Sequence, residues 1–111
     1  MLKPIHKLLR TAAVFAALGD ETRLRLLTRL SAEGPVSITR LTDGAGVTRQ
    51  AVTRHLNVLE QAGLARSRWE GRERVWELEA RKLQIAQRRL EELSALWDER
   101  LERFRKMVEE S

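Results

Sequence analysis

The sequence lacks cysteine and tyrosine altogether, and of its 111 residues only two are histidine. Without cysteine, the protein cannot form a disulfide, a thiolate metal site or a thiol redox switch. Neither His6 nor His55 has a second histidine or a carboxylate at the spacing of metal ligands, so a tetrahedral site would need residues from distant parts of the chain. We therefore expect neither a metal ion nor another cofactor.

Long apolar runs and catalytic motifs are also absent. No segment approaches the ~20 apolar residues that a membrane-spanning helix needs. The basic N-terminus followed by residues 11–18 imitates a secretory signal, but this apolar run is short and ends at Gly19-Asp20 without a cleavage pattern of small residues. A Ser/His/Asp set, a Gly-rich phosphate loop and a carboxylate pair in an apolar setting are missing too. These features predict a cytoplasmic protein that is neither an enzyme nor inserted in a membrane.

Positive charge is plentiful in this chain. The 21 Lys+Arg stand against 16 Asp+Glu, which gives a formal net charge of +5. This balance favours a polyanionic partner, although it does not distinguish DNA from an acidic membrane. The length is typical of one domain, so residues 1–111 are expected to form a single domain.

The N-terminal third has the periodicity of two helices. The first is expected from about Pro4 to Leu18. The second begins after an N-cap at Asp20 and ends at Gly34-Pro35. Its i, i+3 spacing assigns three leucines to the core, namely Leu24, Leu27 and Leu30. The arginines of the same helix are assigned to the solvent, namely Arg23, Arg25 and Arg29.

Two further helices and a hairpin follow. Ser37 can cap a short third helix and Thr48 a fourth, with a glycine-containing turn at 43–46 between them. From residue 65 to residue 78 the period changes to two around Gly71, which is typical of a β-hairpin. The order α-α-α-α-β-β-α predicts a mainly α fold with a small β-hairpin, namely a winged helix-turn-helix.

The fourth helix separates an apolar face from a polar face, and the polar face is suited to DNA. Arginine pairs with the two acceptors of guanine in the major groove, and glutamine pairs with adenine. Arginines on the hairpin are suited to phosphate or minor-groove contacts, with Arg72 at the tip best placed. Arg66 is a further basic residue of the hairpin. The residues expected to contact double-stranded DNA are Thr48, Arg49, Gln50, Thr53, Arg54, His55, Asn57, Arg68, Arg72 and Arg74.

A final helix from about Ala80 to Glu110 carries an apolar stripe. At 1.5 Å per residue, about thirty residues reach roughly 45 Å, which is longer than so small a domain can cover. We expect the excess to pack against a second copy of the chain, in a symmetric homodimer that uses the first and last helices. The expected interface residues are Leu8, Ala12, Leu90, Leu93, Trp97, Leu101, Phe104 and Val108.

Three segments of the chain resemble the ArsR/SmtB family of bacterial repressors. They are FAALGDETRLRLL from Phe15 to Leu27, VTRQAVTRHLNVLEQAGL from Val47 to Leu64, and Glu70-Gly71-Arg72 followed by Val75-Trp76. The similarity spans about residues 9 to 79. It implies a winged helix-turn-helix homodimer that binds a palindromic operator, represses its own gene and leaves DNA when a signal arrives.

The C-terminal segment 96–104 is similar to a subgroup of these regulators with an extended last helix and no known metal chemistry. Metal-sensing members carry cysteine on the helix that spans Ser37 to Asp43 here, or histidine and acidic ligands on the last helix. On the helix after Ser37 this chain has Ile38-Thr39-Arg40-Leu41-Thr42, and its last helix contains no histidine. The resemblance therefore leaves the effector unidentified.

Two alternatives remain open at this level. The basic surface could dock an acidic protein in place of DNA, which would make the chain a winged-helix protein-interaction module. A small molecule could also bind near the dimer seam, in a site lined by Trp97 and Phe104. Trp69 and Trp76 are expected to brace the hairpin, and Trp97 to fill the seam.

Overall fold

The computed structural model describes residues 6 and 8–110. After a helical turn at residues 8–10, helix α1 spans Ala12–Leu18 and helix α2 spans Glu21–Glu33. A short strand, β1 (Val36–Ser37), leads directly into helix α3 (Ile38–Thr42), and helix α4 covers Arg49–Gln61. Strands β2 (Ala65–Glu70) and β3 (Glu73–Leu78) form a hairpin, and helix α5 (Ala80–Glu110) follows it.

The expected first helix is interrupted at Thr11. The backbone N–H and the Oγ1 hydroxyl of Thr11 both donate to the carbonyl of Leu8, at 3.0 and 2.6 Å. A threonine that binds its own backbone in this way competes with the continuing helix. Helix α1 therefore begins at Ala12, and the expected start at Pro4 lies outside the described residues.

The three predicted N-caps are confirmed. The side-chain oxygens of Asp20, Ser37 and Thr48 each accept a hydrogen bond from the backbone N–H three residues later, at 3.0, 3.2 and 3.1 Å. Each cap satisfies one N–H that has no partner within the first turn of its helix, and such a cap contributes ~1 kcal/mol. The starts of α2, α3 and α4 are thus set by local side-chain chemistry.

Strand β1 gives the wing a third strand that the sequence did not predict. The sheet has the order β1-β3-β2 with antiparallel neighbours, and Val36 lies opposite Trp76 while Ser37 lies opposite Val75. A strand of two residues is too short to show a period of two, so its sequence carries no strand signal. Since β1 runs straight into α3, the pairing fastens the hairpin to the helix-turn-helix.

One hydrophobic core joins the helices to the sheet. Trp76 enters it from β3 and is 1% exposed, so it does more than brace the hairpin. Burial of a large apolar side chain contributes ~1.5–3 kcal/mol, which makes this cluster the main stabilising element of the fold. The buried core residues are Val14, Ala17, Leu26, Leu27, Leu30, Val36, Ile38, Leu41, Val52, Leu56, Leu59, Leu64, Ala65, Trp76 and Ala86.

Helix α2 differs from its prediction in two respects. Leu24 was assigned to the core but is 46% exposed. Arg23 and Arg29 were assigned to the solvent but are half-buried. Arg23 donates through Nε to the carbonyl of Ala17 at 2.7 Å, and Arg29 donates through Nη1 to the carbonyl of Leu41 at 3.1 Å. The prediction of solvent exposure was wrong because both guanidinium groups bind the C-terminal ends of neighbouring helices.

Helix α5 packs on its own chain only near its start. Ala86 is buried, whereas every residue from 94 to 110 is exposed. The helix has 31 residues, so its length is roughly 46 Å, and the longest dimension of the chain is 68 Å. Despite this length, no helix in the described part of the chain is apolar enough to cross a bilayer.

Candidate nucleic-acid interface

Helix α4 turns one face to the core and the opposite face to the solvent. Val52, Leu56 and Leu59 are 0% exposed, so they anchor the helix rigidly against α2 and the sheet. The polar side chains of the other face project away from that anchor. The exposed members of this polar face are Arg49, Gln50, Arg54 and Asn57.

Gln50 and Arg54 are available for contacts outside the chain. Within the part of the chain that the structure describes, neither side chain makes a hydrogen bond, an ion pair or a ring contact. Both lie in the N-terminal half of α4, where a recognition helix contacts base edges. The geometry therefore keeps their donors free for the major groove.

Arg49 is held by two other elements. Its Nη1 donates to Oγ1 of Thr39 at 3.3 Å, and its Nη2 lies 3.9 Å from Oε1 of Glu73. Glu73 also accepts from the N–H of Thr39 at 3.0 Å and from its Oγ1 at 2.6 Å. These hydrogen bonds from Thr39, helped by the charge of Arg49, hold the pKa of Glu73 below its usual range. Arg49 is thus oriented by α3 and the wing together.

His55 faces the interior side of α4. Its Nδ1 lies 3.2 Å from Nη1 of Arg23 and 3.7 Å from Oδ2 of Asp20. These contacts place it against the start of α2, apart from the exposed side chains predicted to contact DNA. Thr53 is half-buried, and Thr48 uses its hydroxyl in the N-cap. Among residues 6 and 8–110, no three His, Asp or Glu side chains gather as potential metal ligands.

Carboxylates neutralise two of the arginines of the wing. Arg66 pairs with Glu77 at 2.7 Å and with Glu79 at 2.9 Å, while Arg68 pairs with Glu70 at 2.9 Å and with Glu77 at 3.3 Å. The hydrogen bond from Arg66 lowers the pKa of Glu77, and the same contact raises the pKa of Arg66. Much of the positive charge of the hairpin is therefore balanced within the hairpin.

Arg72 and Arg74 occupy opposite environments. Arg72 is exposed at the tip and has no partner among the described residues. Arg74 is half-buried, and its Nε and Nη2 donate to Oγ of Ser67 at 3.0 and 2.8 Å. Its guanidinium carbon lies 5.5 and 5.3 Å from the ring centroids of Trp69 and Trp76, which is cation–π distance. Arg74 therefore stabilises the wing, and Arg72 is the better placed for phosphate.

A groove of about 270 Å³ separates α4 from the wing. Trp69 forms part of its wall and is 64% exposed, although the sequence had assigned it to bracing the hairpin. Period-two alternation places it on the same face as Ala65 and Ser67, and Arg74 lies opposite it on β3 with its guanidinium carbon 5.5 Å from the ring centroid. The prediction did not include Trp69 among the DNA contacts, and its exposed ring makes it a further candidate. The groove is lined by Ile38, Arg49, Thr53, Asn57, Trp69, Arg74 and Trp76.

Similarity to known proteins agrees with this geometry. A family model described as a helix-turn-helix domain matches residues 18–68. The uncharacterized HTH-type transcriptional regulator YuzN of Bacillus subtilis (strain 168) is 42% identical over 69 residues, which cover 57% of this chain and 75% of that protein.

Solved structures share the fold over most of the chain. An ArsR-like transcriptional regulator from Rhodococcus sp. RHA1 superposes with a TM-score of 0.74 at 39% identity, covering 88% of this chain and 92% of that one. The homodimeric winged helix-turn-helix DNA-binding domain Mb0332 from Mycobacterium bovis superposes with a TM-score of 0.61 at 23% identity, covering 81% and 80%. The predicted winged helix-turn-helix is confirmed, and the chain belongs to the ArsR/SmtB family of helix-turn-helix transcriptional regulators.

Proposed function

We propose that the protein is a homodimeric repressor that binds a palindromic operator in its own promoter. The observation that carries this proposal is the composition of α4. Its buried face consists of Val52, Leu56 and Leu59, while Gln50 and Arg54 on the opposite face have no partner among the described residues. A helix fixed on one side with free polar groups on the other is suited to reading base edges.

The side chains divide into base contacts and backbone contacts. Arg54 and Gln50 contact bases, and Arg49 joins them while Glu73 holds it in place. Arg72 at the tip of the wing contacts phosphate or enters the adjoining minor groove. Asn57 and Trp69 border the groove between α4 and the wing, where a sugar-phosphate strand can lie.

Dimerisation is supported by the apolar stripe of α5. The side chains that project from it in the single chain are 50–63% exposed, a larger apolar surface than a small monomer normally leaves in water. A second copy that packs on the stripe removes it from water and places a two-fold axis between the two copies of α4. Mb0332, which has the same fold, is itself homodimeric. The exposed stripe consists of Leu90, Trp97, Leu101, Phe104 and Val108.

The two-fold axis predicts the form of the operator. Two recognition helices that enter successive major grooves on one side of B-DNA require half-sites about 34 Å apart. The half-sites must be inverted because the subunits are related by a two-fold rotation. A dimer bound to such a site in the promoter of its own gene blocks transcription of that gene, which makes the protein an autoregulating repressor.

Selection of bound DNA from a random pool tests the proposal, since it reports both inverted symmetry and half-site spacing. Arg54→Ala should lose about 1–3 kcal/mol of discrimination at one position of each half-site. Arg72→Ala should weaken binding to all sequences alike and reduce its salt dependence. Arg88→Ala, which removes an exposed arginine of α5, is the matched control.

Two outcomes would replace this proposal with the protein-interaction module. Binding that shows no sequence preference and disappears at ~0.2 M salt would reflect charge alone. Unchanged discrimination in Arg54→Ala would lead to the same conclusion.

A further inference from the structure

A second cavity, of about 290 Å³, lies between the N-terminal segment and the first turns of α5. Its volume is close to the lower end of the range for small-molecule sites, about 300–1,000 Å³. Six residues line it, and they come from only these two elements. They are Arg10, Thr11, Val14, Lys82, Ile85 and Arg89.

The lining combines an apolar floor with three cations. Val14 is buried and Ile85 is half-buried, so the floor can accept a small apolar body. Arg10 and Lys82 are exposed and make no ion pair with the described residues. The lining itself contains no carboxylate. Three like charges around one cavity repel each other, and an anion between them relieves that repulsion.

Arg89 shows what an anion at this site must displace. Its side chain is 20% exposed, and its Nη1 lies 2.7 Å from Oε1 of Glu92. Glu92 is not part of the cavity lining, so Arg89 uses one of its N–H donors outside the cavity. A bound carboxylate can accept two parallel N–H hydrogen bonds from the guanidinium, the bidentate pairing that arginine prefers with carboxylates.

We propose that this cavity binds a small organic anion, with its carboxylate between Arg10, Lys82 and Arg89 and its apolar body on Val14 and Ile85. An inorganic anion would satisfy the cations and leave the apolar floor unused. An uncharged molecule would pack on the floor and leave Arg10 and Lys82 without an ion pair among the described residues. The organic acid is the chemistry that uses both halves of the site.

Lys82 connects the cavity to the DNA-contacting elements. The φ of Gly63 is 79°, and a Cβ at this position would lie 3.0 Å from Cγ of Lys82. The aliphatic stem of Lys82 therefore covers the junction at which α4 ends and the wing begins. When the ammonium group reaches toward a bound carboxylate, the stem shifts on this junction. Occupancy then changes operator affinity, an effect that rests on the proposed function.

Titration calorimetry of the full chain without DNA tests the site itself. Benzoate is the probe, benzamide has the same body without the charge, and inorganic phosphate has charge without the body. We expect benzoate to bind with a stoichiometry of one per chain, and both controls to bind at least about tenfold more weakly. Equal binding of benzamide, equal binding of phosphate, or absent benzoate binding would overturn the proposal.

Substitutions distinguish binding at this cavity from non-specific attraction of benzoate to the positive charge of the protein. Arg10→Gln and Arg89→Gln should each weaken benzoate binding about tenfold, the equivalent of one charged hydrogen bond. Arg88→Gln removes the same charge one residue away, outside the lining, and should leave binding unchanged. Glu92→Gln should strengthen binding because it releases Arg89, and a misfolded variant would not show such a gain. Equal losses in Arg88→Gln and Arg89→Gln would refute the site.

The coupling to DNA has a separate readout. Operator affinity is measured with and without saturating benzoate, in the wild type and in Lys82→Met, which keeps an apolar stem and loses the ammonium group. A benzoate effect that disappears in Lys82→Met supports the coupling. If benzoate binds in calorimetry and leaves operator affinity unchanged, the coupling is refuted. If the wild type without benzoate does not bind an operator at all, the proposed function is refuted instead.

Discussion

Nη1 of Arg23 lies 3.2 Å from Nδ1 of His55, and this contact joins the second helix to the helix that faces DNA. The same guanidinium donates to the carbonyl of Ala17 at 2.7 Å and to the carbonyl of Ala16 at 3.4 Å. Arg23 thus caps the end of α1 and holds α4 at the same time. A single side chain therefore connects three helices.

Arg23→Lys should destabilise the fold although it conserves the charge. An ammonium group cannot reproduce the planar fork that reaches two carbonyls and a histidine at once. We expect a loss of about 2 kcal/mol in the free energy of unfolding, measured by urea denaturation at fixed protein concentration. Arg25→Lys is the control, because Arg25 is exposed and its one partner among residues 6 and 8–110 is Glu21, one turn away. Equal losses in the two variants would contradict this role of Arg23.

Asp20 should make the stability of the protein depend on acid pH. The N–H of Arg23 that Asp20 accepts is the main cause of its pKa lying below the ordinary value of 3.8. Since the folded-state pKa is lowered, Asp20 contributes stability at any pH above about 3.8. That contribution is lost as the pH falls below 3.8 and through the folded-state pKa.

Asp20→Asn isolates this effect because asparagine is an equally good N-cap and does not titrate. We expect the urea midpoint of the variant to fall less steeply than that of the wild type between pH 5 and pH 2. The lowered pKa values of Glu33, Glu73 and Glu77 act in the same direction in both proteins, so the difference belongs to Asp20. Parallel pH profiles would show that the cap carboxylate contributes nothing.

The features that sequence predicts well in this chain are local. Asp20, Ser37 and Thr48 cap their helices through backbone groups three residues away, so a short window contains both partners. The buried face of α4 is equally visible, because its spacing repeats every turn.

Features that depend on distant partners were missed. Strand β1 is defined by the pairing of Val36 with Trp76, which is forty residues away, and its own two residues carry no pattern that predicts the pairing. Long basic side chains are hard to assign for a related reason: a guanidinium reaches far from its own backbone position. Arg74 stays a predicted DNA contact, but nothing in its own segment indicates that Ser67 and the two tryptophan rings hold its guanidinium against the wing, where it lines the groove beside α4.

Glu73→Gln should raise the affinity for DNA of any sequence and lower the discrimination between bases. Its amide oxygen can still accept from Thr39, so the wing stays attached to α3, but the charge 3.9 Å from Arg49 is lost. Removing a negative charge near the phosphates raises affinity for any DNA. Arg49 keeps its hydrogen bond to Thr39 but loses its ion pair, so it loses up to about 1 kcal/mol of base discrimination. Operator and unrelated DNA are compared in gel shifts at two salt concentrations.

Glu70→Gln is the matched control for that measurement. Glu70 pairs with Arg68 at the tip of the wing, so its loss also raises affinity but leaves Arg49 held. We expect unchanged discrimination in this variant. If both variants lose discrimination equally, net charge and not the position of Arg49 is responsible.

Leu101→Glu should dissociate the protein into monomers. Leu101 is 59% exposed in the single chain and lies within the apolar stripe of α5, where the proposed dimer would bury it. An uncompensated carboxylate in that seam costs about 3 kcal/mol or more per site. Ala95→Glu adds the same charge on the opposite face of the helix and should leave the dimer intact. Light scattering after size exclusion measures the mass of each variant. A monomeric wild type, or a dimer that survives Leu101→Glu, would require a different surface to bring the two copies of α4 together, since one copy alone cannot recognise an inverted repeat.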